Sequence, residues 1–363
     1  MKILFLARRY PILIAAMSAI LFIAVIIVAG VYADRQVIDY HSTSPSPQSM
    51  SIVRFPGALD RYDTGHYQSI VANGYNSTTV AFFPLYPLLA RGLTFFGISP
   101  LAALLVISWV FSILTAIVVY LWAAYELRKR KITLSPWGVL GLFALFPSSF
   151  FLAAGYGESL FIFLITGSLY AYRRGWYVAS GIFAAFATAS RVQGGVLALF
   201  FLADIIINKK YREWPRYTPV IFAPIGIIVY MTYLANAFGD PFAFIAAQHQ
   251  WGRLDGNPVQ NLISSFTPLY LWYIPVLGLM LWTVHKYLGK AWLLFCAASL
   301  LLPLASGRLD SINRYMLALP PLFLALGIWL NQRPQWQQIA YIVMSAFLLA
   351  WNVVLFFNGY WVA

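Results

Sequence analysis

Tyr10-Pro-Ile-Leu-Ile-Ala-Ala-Met-Ser-Ala-Ile20-Leu-Phe-Ile-Ala-Val-Ile-Ile-Val-Ala-Gly30-Val-Tyr-Ala33 is a continuous apolar run with no charged side chain, preceded by Arg8 and Arg9. As a helix it reaches about 36 Å, enough to cross a hydrocarbon core of roughly 30 Å. A signal peptide has a shorter apolar core, of roughly 7–15 residues, and a small-residue cleavage site. This run is longer and shows no clear site, so a retained first span is expected. Similar runs follow near 100–126, 135–154, 158–172, 175–190, 194–208, 217–238, 263–285, 290–306, 313–331 and 337–358. Together they predict about eleven transmembrane helices. With 61% apolar and only 10% charged residues over 363 positions, the chain lacks the roughly 25% charge that a soluble surface needs. Runs that do not alternate every second residue also argue against a β-barrel. The expectation is an all-α polytopic membrane protein, a single integral membrane domain over 1–363. It divides into a first span at 10–33, an outer loop at 34–99 and the remaining bundle at 100–363.

The net charge of +13 invites a nucleic-acid reading until the charges are placed. If Arg8 and Arg9 hold the N-terminus in the cytoplasm, the connections alternate sides. Sixteen of the 24 basic residues, including every lysine, then fall inside. Eight arginines and eight of the eleven acidic residues fall outside, so the outer face sums to zero. This is the positive-inside bias, and the basic excess contacts anionic lipid headgroups rather than nucleic acid. The single cysteine, Cys296, excludes an intrachain disulfide and a Cys-based metal cage.

The runs at 158–172, 175–190 and 194–208 have only about 15 residues each, barely a bilayer's thickness. Their polar outer connections should therefore dip below the surface and line a cavity. No internal repeat relates the two halves, which disfavours a transporter, the alternative class being a flippase of a lipid-linked sugar.

The outer loop carries Asp60-Arg-Tyr-Asp63-Thr-Gly-His66-Tyr-Gln-Ser-Ile70-Val-Ala-Asn-Gly-Tyr75. Tyr67, Ile70, Val71 and Tyr75 recur at helical spacing and Gly74 can close the helix, so an amphipathic helix on the outer leaflet is expected. Asp63 at its start either caps the helix or serves as a general base for a sugar hydroxyl. His66, one turn on, either binds substrate or packs as a surface ring. Two prolines in Phe82-Phe83-Pro84-Leu-Tyr86-Pro87 predict an interfacial elbow. Glu158 and Arg191 stand at span boundaries, where an ionisable group needs a partner or an anionic substrate. They either pair with each other or serve a ligand. Arg191, Arg253 and Arg314 converging on one cavity would bind a phosphate.

The order of these motifs resembles the GPI mannosyltransferase II (PIG-V-like) family. Tyr62-Asp63-x-x-His66, Phe82-Phe-Pro-Leu-Tyr86-Pro87, Tyr156-x-Glu158-Ser159 and Ser190-Arg191-x-Gln193-Gly194 carry the resemblance, with Gln248, Trp251, Arg253 and Arg314-Tyr315 later. Two positions depart from the family's usual pattern: Tyr62 stands in place of Trp and Gln193 in place of Asn. The resemblance implies a GT-C-type glycosyltransferase, an inverting mannosyltransferase using a polyprenyl-phosphate sugar on the extracytoplasmic side. It implies Asp63 as the catalytic base. Tyr62, His66, Tyr156, Glu158, Arg191, Gln193, Gln248, Trp251, Arg253, Arg314 and Tyr315 become the expected substrate-binding set. The expected partners are the donor lipid, a glycan or glycolipid acceptor and membrane lipids, with no cofactor and no divalent metal. The host membrane would be the plasma membrane in a prokaryote and the endoplasmic reticulum in a eukaryote.

Overall fold

The computed structural model describes residues 9–36, 59–250, 260, 263, 273–304 and 311–362, and those residues form α-helices and short 3-10 turns with no β-strand. Helix α1 (Pro11–Gln36) realises the first apolar run. The following loop supplies two amphipathic helices, α2 (Asp63–Asn73) and α3 (Leu85–Thr94), before the longest helix, α4 (Pro100–Lys129). Next come α5 (Pro136–Ala144), α6 (Glu158–Arg174), α7 (Tyr177–Ser190) and α8 (Val196–Ile207). The pair α9 (Thr218–Phe222) and α10 (Ile225–Phe238) is divided at Pro224, and α11 (Ala243–Gln250) follows. The chain continues through α12 (Tyr273–Tyr287), α13 (Lys290–Leu304), α14 (Ile312–Leu317), α15 (Pro320–Leu330) and α16 (Gln335–Phe357).

Among the described residues, four helical stretches are long and apolar enough to cross a membrane: Pro11–Ala33, Pro100–Lys129, Trp214–Phe238 and Gln335–Phe357. Four shorter apolar helices accompany them, so the expected eleven crossings are not seen as eleven full-length spans. The clearest departure is the run at 135–154. Its helix α5 stops after nine residues, too short to cross, because Pro147 disfavours helical backbone in the residue before it and cannot donate within a helix. Residues 145–157 continue as turns and a 3-10 segment (Ser149–Leu152).

Helix α4 accommodates that irregular stretch. It packs chiefly on α6, with α1 and α3 also against it. Hydroxyls on α4 take the carbonyls that a broken helix leaves free. Ser112 Oγ donates to Leu152 O at 2.5 Å, Ser108 Oγ to Tyr156 O at 2.9 Å, and Thr115 Oγ1 to Ser159 O at 2.8 Å. Trp109 Nε1 donates to Ala153 O at 2.8 Å. Non-helical backbone at membrane depth is tolerated only where protein satisfies it in this way. The consequence is positional: Tyr156 and Glu158 are fixed at the head of α6, both fully buried.

The outer-loop helices dock on the same end of α4. Tyr67, Ile70 and Val71 of α2 are buried as their spacing predicts, joined by Thr64, and Gly74 closes the helix at φ +82°. The proline pair starts α3 instead of breaking it. Pro84 precedes the helix and Pro87 sits in its first turn, where no N–H is needed. Tyr86 then reaches into the bundle, its hydroxyl 3.0 Å from Leu104 O and 2.7 Å from Ser108 Oγ.

Candidate active site

Asp63, Glu158, Arg191 and Arg314 come from four separate elements and form one linked ionic cluster. Arg314, in α14, donates through Nε (2.8 Å) and Nη2 (2.5 Å) to Glu158 Oε1. The same Nη2 lies 3.0 Å from Asp63 Oδ2. Arg191 Nη2 donates to Glu158 Oε1 from the other side. Glu158 is fully buried and Arg314 nearly so, at 7% exposure, so water screens this cluster little. Two carboxylates against two guanidinium groups leave it neutral, the condition under which ions are retained in a low-dielectric interior. The guanidinium of Arg314 also lies over Phe151 and Tyr156, at 4.8 and 4.9 Å from the ring centroids.

Local sequence explains why these side chains arrive where they do. Asp63 is the first residue of α2; Tyr62 occupies the cap position with φ +50°, a backbone region costly for an aromatic residue. The capping alternative for Asp63 therefore gives way to an ion pair with Arg314. Arg191 ends α7 in extended backbone and is followed by a 3-10 turn, Val192–Gly195. That turn can lie flat on α7 because residue 194 is glycine: a Cβ there would stand 2.5 Å from the Ala187 carbonyl carbon and the Thr188 nitrogen. Gly155 plays the same part for α2, since a Cβ would come within 2.7 Å of Thr64 Cγ2.

The cluster faces a cavity of about 540 Å³, within the range of small-molecule sites. Of the residues expected from sequence, Tyr62, Asp63, His66, Arg191, Gln193, Gln248, Arg314 and Tyr315 line it. Tyr156 and Glu158 do not. Both sit behind the wall at 0% exposure, Tyr156 donating to Arg61 O at 3.2 Å and Glu158 gripping the two arginines. The Glu158–Arg191 pair weighed in the sequence is thus present, with Arg314 as an additional member. Trp251 and Arg253 lie outside the described residues. The remaining wall includes Phe82, Phe83, Ser190, Leu302, Pro303 and Trp361. Leu302, Pro303 and Trp361 carried no signal in the sequence beyond apolar character near a span end.

His66 stacks on Phe82, with ring centroids 5.4 Å apart and planes 23° from parallel. Burial pushes its pKa below the usual histidine value, against the opposing pull of Asp63. One donor of the cluster is unspent: Arg191 Nη1 is buried and has no hydrogen-bond partner among the described residues. A buried guanidinium N–H without an acceptor costs on the order of 1–3 kcal/mol or more.

Residues 9–229, more than half of the chain, match the family model described as Mannosyltransferase (PIG-V). Over 183 residues the chain is 30% identical to GPI alpha-1,6-mannosyltransferase 2 of Cricetulus griseus, covering 45% of this chain and 36% of that one. The Rattus norvegicus counterpart is 29% identical over 183 residues, 45% of this chain and 37% of its own. The match thus spans about a third of the length of these relatives. In three dimensions ArnT from Cupriavidus metallidurans superposes with a TM-score of 0.54 in its apo state, at 15% identity, over 94% of this chain and 75% of ArnT. Its complex with undecaprenyl phosphate gives 0.52, at 14% identity, over 94% and 76%. The helical fold is the GT-C type expected from the sequence.

Proposed function

The chain belongs to the mannosyltransferase (PIG-V) family, and from that premise we propose that it is an inverting mannosyltransferase using a polyprenyl-phosphate donor at the extracytoplasmic end of the bundle. The observation that carries the reading is the Asp63–Arg314–Glu158–Arg191 cluster, of which Asp63, Arg191 and Arg314 line one wall of the cavity and Glu158 stands behind it. It sets a carboxylate with 23% side-chain exposure beside guanidinium groups, the pairing that glycosyl transfer from a phosphate requires.

The donor is a sugar joined through its anomeric carbon to a polyprenyl phosphate, the class of lipid with which ArnT was crystallised. Arg191 and Gln193, both on the cavity wall, take the phosphate, while Leu302 and Pro303 give the first isoprene units an apolar surface. Asp63 accepts the proton of an acceptor hydroxyl. The hydroxyl oxygen forms a bond to the anomeric carbon as the bond to the phosphate oxygen breaks, inverting the configuration. The leaving polyprenyl phosphate carries away the electron pair, and the Arg191 guanidinium stabilises its new charge. No step is assigned to a divalent metal. Glu158, behind the wall, acts by holding both arginines in register.

The orientation rests on the positive-inside bias. The basic connections after α4 and α6 lie at the helix ends away from Glu158, which supports an outward-facing site and a cytoplasmic N-terminus in the plasma or endoplasmic reticulum membrane. A flippase is not favoured, because the buried charged clusters among the described residues stand at the two ends of α6 instead of near the bilayer midplane. Membranes carrying Asp63→Asn, supplied with labelled polyprenyl-phosphate mannose, are expected to lose glycosidic product by roughly 10²–10⁴-fold. Transfer at the wild-type rate would remove Asp63 as the base, and movement of labelled lipid without a glycosidic product would favour the flippase.

A further inference from the structure

Trp361 closes the cavity beside Asp63 and lies 132 residues beyond the stretch that matches the family model. The segment that carries it leaves α16 through Gly359, whose φ of +84° turns the chain. The Asp63 loop itself holds that turn. Arg61 Nη2 donates to Phe357 O at 2.9 Å, and the Tyr62 hydroxyl donates to Gly359 O. The indole meets Tyr62 edge-on, with centroids 5.0 Å apart and planes at 75°, and the Arg314 guanidinium lies 5.5 Å from its centroid.

These contacts place Trp361 on one side of the reaction. Its ring neighbours are Tyr62, adjacent to Asp63, and Arg314, which is paired with Asp63. The guanidinium of Arg191, which the reading above gives to the donor phosphate, lies over Phe161 instead. A general base must come within hydrogen-bond reach of the hydroxyl it deprotonates. An aromatic wall beside the base therefore faces the acceptor and not the leaving group. The indole has the Arg314 guanidinium over its ring and Tyr62 and Phe151 as aromatic neighbours, and it adds aromatic surface to the cavity wall beside them. The C–H face of a pyranose fills such a surface while its hydroxyls reach the polar wall, the division of labour common to carbohydrate and aromatic side chains.

We propose that Trp361 is the specificity-determining platform that holds the acceptor sugar beside Asp63. The proposal rests on the transferase reading. Transfer is measured with labelled polyprenyl-phosphate mannose as donor and a lipid-linked glycan extract of the host membranes as acceptor, each varied in turn. Trp361→Ala is expected to raise the extract concentration for half-maximal transfer by about tenfold or more while the donor KM moves by less than about twofold, and Trp361→Phe recovers most of the loss. A parallel shift in both KM values, or in neither, overturns the assignment. A second measurement needs no turnover. Saturation-transfer NMR of methyl α-D-mannopyranoside with the protein in lipid nanodiscs should show ring-proton saturation that Trp361→Ala abolishes and Trp361→Phe retains. Undiminished saturation in Trp361→Ala overturns the proposal. Sugar binding through Trp361 in a wild-type protein that transfers nothing would instead defeat the transferase reading and leave the platform standing.

Discussion

Two fully buried glutamates, each held by two arginines, mark the two ends of α6, and they differ in what their arginines have left to give. At the far end Glu126 uses both oxygens: Oε1 accepts from Arg173 Nε at 2.5 Å, and Oε2 from Arg173 Nη2 at 3.1 Å and Arg130 Nε at 3.2 Å. Arg130 spends its Nη1 on Tyr287 O at 2.9 Å, and Arg173 packs within 6.0 Å of the Trp292 ring. At the site end Glu158 offers only Oε1, to both arginines, and Oε2 accepts nothing among the described residues. Arg314 divides itself between two carboxylates and Arg191 keeps a free donor. Burying ions exacts the same desolvation at both ends. The Glu126 cluster is closed on itself and fixes helices, whereas the Glu158 cluster faces a cavity with capacity to spare.

Neutralising each glutamate is the strongest way to break this contrast. Glu158→Gln frees both arginines from their shared acceptor, so transfer per folded molecule is expected to fall by roughly 10²–10³, the scale of losing one transition-state charge partner. Glu126→Gln leaves two arginines short of a counter-ion in a closed setting. It is expected to destabilise the protein by roughly 3–5 kcal/mol with turnover per folded molecule unchanged. Thermal unfolding in detergent, read beside activity normalised to folded protein, checks both. A Glu158→Gln protein that loses only stability would make the two clusters equivalent and end the distinction.

A gentler substitution sharpens it. Arg191→Lys keeps the charge but removes the planar fork that can serve Glu158 and a phosphate together. The expected result is a rise of about 10–100-fold in the donor KM, with the acceptor KM nearly unchanged. The matching change at the closed end, Arg173→Lys, should leave both values where they were.

Much of this architecture was legible in the chain. Apolar runs reported the helices because burial in lipid imposes length and composition directly. Asp63, Arg191, Gln193 and Arg314, which line the cavity, stood out in the chain because a charged or amide group at a span boundary needs a reason to be there. What periodicity cannot report is partnership. Arg314 meets Glu158 across 156 positions, and it is the packing of α14 against the 3-10 segment Ser149–Leu152 and α13 that brings it to the head of α6. Tyr156 and Glu158, read as substrate contacts, prove to stand one layer behind the cavity for the same reason. Within the largely apolar run 135–154, Pro147-Ser148-Ser149 marks a turn whose free carbonyls α4 hydroxyls satisfy. Trp361 was invisible because an aromatic beyond a final span resembles any interfacial anchor.

The smallest expected effect concerns His66, which faces the open cluster and has no counterpart at the closed one. Burial lowers its pKa despite the nearby Asp63, so the folded state prefers the neutral ring, stacked on Phe82. The unfolded chain takes up the proton first as pH falls. The stability contributed by neutral His66 is therefore complete above the ordinary histidine value of about 6.5 and is lost as pH drops through the lower folded value. The same protonation would put a new positive charge one turn from the base and compete with Arg314 for Asp63. His66→Phe keeps the stack on Phe82 and removes the titration. Its transfer at pH 7.5 is expected to lie within about tenfold of wild type, with the loss tracing to any hydrogen bond from the imidazole to a sugar hydroxyl. Below pH 6 the wild-type rate should fall more steeply than that of the variant. Parallel pH profiles would show that His66 only packs.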